Sequence, residues 1–123
     1  MPGNVVALVD DLFFLAKIRE TAKAVGVPVV ACDARRGVAA VAEAQPQIIL
    51  LDLNSRALPA VSWIRDLKSD PATQSIPIVG FVSHVQEQLI AEARAAGCDS
   101  VMARSAFTKN LPEILKGAAN NRK

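Results

Sequence analysis

Short apolar runs alternate with alanine-rich stretches along the whole chain, and that alternation leaves few architectures open. β-Branched runs fall at 4–9, 28–32, 48–52, 77–82 and 99–103, and helical spacing follows near 12–25, 35–44, 59–69, 86–96 and 111–118. Five strand–helix units in succession predict a parallel sheet covered by helices on both faces. The strands read as continuous apolar runs, as in Ile48-Ile49-Leu50-Leu51, which is the pattern of strands buried on both sides. The punctuation agrees: Gly26 ends the first helix and Pro28 opens the second strand. Asp70-Pro71 marks the exit from the third helix, Ile76-Pro77 leads into the fourth strand, and Gly97 is a left-handed stop for the fourth helix. Asn110-Leu111-Pro112-Glu113 has the form of a capping box, which predicts that the last helix starts there with Pro112 in its first turn. The tail from Ala118 to Lys123 is expected to fray.

In an open parallel sheet, functional groups gather at the carboxyl ends of the strands. Asp10 and Asp11 follow the run Val5-Val6-Ala7-Leu8-Val9, and Asp52 closes the third run, so all three reach that rim. Val82-Ser83-His84 and Arg104-Ser105 belong there too. Carboxylates held close repel one another, so the arrangement points to a cation between them. Asp11 and Asp52 can each give an oxygen to Mg²⁺, with Asp10 holding a metal-bound water. The metal would screen Asp52 and let it approach a phosphoryl group, and in-line attack by a carboxylate gives an acyl phosphate. Arg104 supplies a cation to contact the phosphoryl oxygens.

Several classes are excluded or weakened. The 123 residues fit one domain, 1–123, with no attached output domain, and 51% hydrophobic with 21% charged residues excludes a disordered tail. A net charge of +2, with no basic run interleaved with aromatics, argues against a nucleic-acid partner. No apolar stretch reaches the ~18 residues of a membrane span. Met1-Pro2-Gly3-Asn4 enters a strand without a signal segment, so a cytoplasmic location is expected. Cys32 and Cys98, with the single His84, lack zinc-site spacing and read as packing residues. A nucleotide binder would place glycines after the first strand, where this chain has Asp10-Asp11-Leu12-Phe13-Phe14. A small α/β hydrolase or nucleotide binder is therefore the weakest alternative.

The chain resembles the receiver domain of bacterial two-component response regulators over nearly its whole length, as an atypical member. The resemblance rests on Leu8-Val9-Asp10-Asp11, Leu50-Leu51-Asp52-Leu53-Asn54, Leu67-Lys68-Ser69-Asp70-Pro71 with Ile76-Pro77-Ile78, and Ala95-Ala96-Gly97-Cys98-Asp99. No single motif is specific, but their joint spacing is. It implies a doubly wound α/β fold, a three-layer (βα)₅ sandwich with a parallel sheet in CheY-like order 2-1-3-4-5. It also implies that Asp52 is the phosphoacceptor, that Asp10 and Asp11 are the metal acids, and that the Asn54 backbone carbonyl is a further Mg²⁺ ligand. The implied partners are a histidine kinase or phosphotransfer protein and a downstream protein reached through the fourth helix, fifth strand and fifth helix. In that strand order Cys32 and Cys98 sit near opposite edges and cannot bridge.

The departures bear on the mechanism. Where receivers have a Thr or Ser at the end of the fourth strand, this chain has Val82, which donates no hydrogen bond. Ser83 is the possible substitute hydroxyl, although its side chain points to the other side of an extended strand unless a local twist redirects it. The usual Lys before a cis-proline is Arg104-Ser105. A cis bond before serine costs roughly 2.5–4 kcal/mol, so this loop is expected to take a different path. Val101 replaces the aromatic switch residue, and Arg56 and Ala60 stand for the usual Pro and Gly. Two readings remain: a stand-alone phosphorelay receiver with a variant switch, and a pseudo-receiver that acts as an adaptor without phosphorylation. Retention of all three acids favours the first. Helical spacing puts Leu15, Ile18, Ala22 and Val25 on the core face of the first helix and turns Phe13 outward beside the acids. Phe13 is there either a docking anchor for the phosphodonor or a partly buried side chain. Trp63 reads as a packing residue, His84 as a solvated loop residue, and Arg35-Arg36 as solvent-facing.

Overall fold

The computed structural model describes residues 4–32, 37–55, 59–83 and 86–120. Arg35, Arg36, Arg56 and His84, for which the sequence raised expectations, lie outside the described residues. Five strands, β1 (Val5–Leu8), β2 (Val29–Ala31), β3 (Ile48–Asp52), β4 (Ile78–Val82) and β5 (Ser100–Ala103), alternate with five helices. These are α1 (Leu12–Val25), α2 (Val38–Ala44), α3 (Ala60–Ser69), α4 (Glu87–Ala96) and α5 (Arg104–Asn120). All pairings are parallel and the order is β2-β1-β3-β4-β5, as the resemblance implied.

The sheet divides the core into two layers. Val5, Ala7, Leu50, Val79 and Phe81 pack with Phe14, Ile18, Leu111 and Leu115 of α1 and α5. Val6, Leu8, Ile49, Leu51, Ile78 and Val82 face the other way, onto Val41, Trp63, Ile64 and Leu67 of α2 and α3. Successive residues of each strand therefore serve opposite cores, which is why the runs are apolar without alternation. Trp63 is buried packing, as expected. Neither cysteine is in a disulfide; Cys98 is buried and Cys32 half-buried, beside strands at opposite edges of the sheet.

The rim opposite the acids is tied by a polar network. Asp99 Oδ2 accepts from Lys68 Nζ at 3.0 Å and from the Ile78 N–H at 2.8 Å, and Lys68 Nζ also donates to the Ile76 carbonyl at 3.0 Å. The buried Thr73 hydroxyl donates to the Leu67 carbonyl at 2.7 Å, satisfying an orphan acceptor at the end of α3. Gly97 closes α4 at φ 116°, and a Cβ there would meet Lys68 Cγ at 2.8 Å. These contacts give a structural job to the motifs around Lys68 and Asp99.

One expectation is corrected. The last helix does not start at Asn110: α5 begins at Arg104, directly after β5, and Pro112 lies in its interior. Phe107, Leu111 and Leu115, spaced by four, bury fully against the α1 side and extend the helix past the capping-box pattern. Asn110 Nδ2 donates to the Ala106 carbonyl at 2.9 Å and so serves the preceding turn instead of starting a new one. The helix extends through Asn120, and 121–123, the rest of the tail expected to fray, lie outside the described residues. Among the described residues no helix is long and apolar enough to cross a membrane.

Candidate functional site

β1 and β3 are neighbours in register, with Leu8 opposite Leu51, so the chain leaving β1 runs beside the end of β3. Asp52, the last residue of β3, pairs with Phe81 and falls on the same face as Leu50, towards α1 and α5. It is 6% exposed, and its Oδ1 accepts the Asn54 N–H at 2.9 Å. Burial pushes its acid pKa up; the Asn54 N–H opposes this, the Asp10 charge adds to it, Arg104 opposes and Asp11 adds again. Asp52 thus feels the charges of Asp10, Asp11 and Arg104, the other groups that the sequence placed at this rim.

Asp11 is fully engaged. Its Oδ1 caps α1, accepting the N–H groups of Phe13 at 3.0 Å and Phe14 at 3.1 Å. Its Oδ2 accepts from Arg104 Nη2 at 3.0 Å. The Arg104 hydrogen bond is the main cause that holds this carboxyl below the usual range, with the Phe14 N–H next. The Arg104 guanidinium carbon lies 4.0 Å from the centroid of the Phe14 ring. That ring is buried and backed by Phe81 and Phe107, at centroid distances of 5.0 and 5.8 Å. Arg104 opens α5, where the helix dipole disfavours a cation, so the carboxylate and the aromatic face offset that placement. Phe14 was missed as a site residue, although Phe14, Ile18 and Ala22 recur every four residues and signal one buried face.

The carboxylate oxygens at this rim suit a hard divalent cation. Asp10 is exposed, whereas Asp11 is bonded on both oxygens. Among the described residues no three His, Cys, Asp or Glu side chains are grouped so as to hold a metal ion. The cationic side chain at this rim, Arg104, is paired with Asp11 Oδ2.

At the end of β4, Val82 is buried in the layer facing α2 and α3, on the other side of the strand from Phe81. Ser83 is exposed and contributes its backbone, whose N–H donates to Asn54 Oδ1 at 2.6 Å. Asn54 Nδ2 donates to Gln86 Oε1, next to the start of α4. The sequence pattern assigns a role only to the Asn54 carbonyl and carries no signal for this use of its side chain. Val101 is partly buried against the second core layer. No cis peptide occurs among the described residues. Leu12 and Phe13, 75% and 91% exposed, flank the acids, which places Phe13 outward and rules out its partial burial.

The fold is that of response-regulator receiver domains. No protein-family model and no curated protein matches the sequence. Solved structures do match, at identities where the likeness concerns the fold. The phosphorylated cyanobacterial phytochrome response regulator RcpA superposes with a TM-score of 0.79 at 19% identity, covering 100% of this chain and 98% of that one. The chemotaxis protein CheY4 of Vibrio cholerae gives 0.82 at 17% identity, covering 96% and 99%. The receiver domain of the sensor histidine kinase PA1611 of Pseudomonas aeruginosa, which has a magnesium ion coordinated in its active-site cleft, gives 0.81 at 17% identity, covering 97% and 98%.

Proposed function

We propose that this chain is a receiver of a phosphorelay, that it accepts a phosphoryl group on Asp52, and that it signals through a protein partner. The observation that carries the reading is Asp52 itself: a buried carboxylate at the carboxyl end of a central strand, subject to the charges of Asp10, Asp11 and Arg104. Its Oδ1 is held by the Asn54 N–H, which leaves Oδ2 as the attacking atom. A new O–P bond forms at Oδ2 while the bond from phosphorus to the donor breaks, and the donor group leaves with the electron pair. Arg104 would contact the incoming phosphoryl oxygens once it leaves Asp11. Asp10, Asp52, the Asn54 carbonyl and a released Asp11 would hold Mg²⁺. Bound there, it would neutralise phosphoryl charge. That PA1611 and RcpA were solved with magnesium and in phosphorylated form respectively supports the reading by analogy of fold.

The donor is a histidine kinase or phosphotransfer protein docking over the exposed Leu12 and Phe13 beside the acids. Replacing Phe13 with Ser should slow transfer from such a protein while leaving the thermal midpoint unchanged; equal transfer rates would remove the docking role. The output passes to a downstream protein on the α4–β5–α5 side, in the cytoplasm.

A second reading, a phosphorylation-independent adaptor, is favoured by two observations: the Asp11–Arg104 pair and the burial of Val82 away from Asp52. Intact-mass analysis after incubation with acetyl phosphate and Mg²⁺ separates them. A mass gain of one phosphoryl group that is absent from Asp52→Asn supports the receiver; none in either protein supports the adaptor.

A further inference from the structure

We propose that Arg104, seated on the Phe14 ring, is the resident counter-ion of the pocket, and that a divalent cation reaches Asp11 only by displacing it. The inference deepens the reading above and rests on it for the entry of a metal at all. Arg104 Nη2 takes Asp11 Oδ2 at 3.0 Å while Oδ1 is committed to the cap of α1. The guanidinium already occupies part of that oxygen's acceptor capacity, and its charge repels a divalent ion brought beside it. The seat of the guanidinium is built into the core: the ring beneath it, 4.0 Å away, is buried and packed on Phe81 and Phe107. A planar guanidinium can stack on that face and bond the carboxylate together, whereas a lysine ammonium lacks both the plane and the fork. Phe14 is therefore a positioning residue that acts through Arg104. Divalent affinity in this chain is set by how firmly the ring and carboxylate hold the arginine.

The test measures Mn²⁺ binding to the full chain by electron paramagnetic resonance, with thermal midpoints recorded in parallel. Arg104→Gln should bind Mn²⁺ about tenfold more tightly than the parent, the range of a charge-assisted hydrogen bond removed from competition. Phe14→Leu keeps the arginine charge and most of the buried volume but removes the aromatic face, and should tighten binding about threefold. A purely structural role for Phe14 would lower the midpoint and leave Mn²⁺ affinity alone, so a folded Phe14→Leu with parental affinity strikes out the seat. Unchanged or weaker binding by Arg104→Gln, including no binding by either protein, overturns the whole proposal. Arg104→Gln decides by itself if Phe14→Leu does not fold. Tighter Mn²⁺ binding in a protein whose Asp52 resists acetyl phosphate would sink the phosphoacceptor reading and leave the counter-ion standing.

Discussion

Asp52 and Asp11 respond to pH with opposite signs. Burial raises the Asp52 pKa above its ordinary 3.8, so folding favours the neutral acid. The stability this contributes is complete below 3.8 and is lost as pH rises through the raised value. Asp52→Asn should therefore raise the thermal midpoint by a few degrees at neutral pH, and the gain should vanish below the carboxylate range. Asp11, held low by Arg104, contributes stability above 3.8 that is lost as pH falls through its lowered value. Asp11→Asn keeps a capping side chain and loses only the ion pair, so it should lower the midpoint modestly at neutral pH and not in acid. Thermal melts of both variants across pH check the two signs together; parallel trends would show that the charges are not held as described. At this scale the acids were legible because an aspartate that ends an apolar run has one rim to go to. The pairing of Asp11 with Arg104 was not, since 93 residues separate them and only the sheet order brings them together.

Helix ends and connections carry the next set of constraints. Gly97 sits at φ 116° with Lys68 Cγ 2.8 Å from where a Cβ would lie, and Lys68 is itself held by Asp99. Gly97→Ala should cost about 1–3 kcal/mol in chemical denaturation, from a left-handed conformation plus a displaced lysine. Pro112 leaves α5 without one interior N–H donor, so Pro112→Ala should stabilise the protein by up to about 3 kcal/mol in the same assay. A loss of stability would mean that the ring packs better than the missing hydrogen bond is worth. Asn54 joins the β3 end to the Ser83 N–H and to Gln86, and Asn54→Ala should speed hydrogen exchange at the Ser83 amide. Strands and glycine stops were readable from pattern alone, and the start of α5 was not. Asn110-x-x-Glu113 looks like a helix start locally, but the buried stripe Phe107–Leu111–Leu115 overrides it through tertiary packing.

For the molecule as a whole, five strand–helix units fixed the layer architecture, and the parity of each strand assigned its residues to two cores. Val82 shows how that parity bears on the pocket: its side chain packs into the layer facing α2 and α3 and carries no hydrogen-bond donor. Among the described residues a hydrogen-bonded chain runs from Asp52 through the Asn54 backbone and side chain to Ser83 and Gln86. Such side-chain bridges depend on rotamers and loop spacing, which a linear pattern does not carry. All of this bears on signalling only if Asp52 takes the phosphoryl group. The direct measurement is borohydride trapping after acetyl phosphate and Mg²⁺, followed by peptide mass spectrometry. Reduction of an acyl phosphate to homoserine at position 52, and at no other aspartate, is the expected result. An unreduced Asp52 peptide, or a trapped acyl group at Asp10 or Asp11, would contradict it.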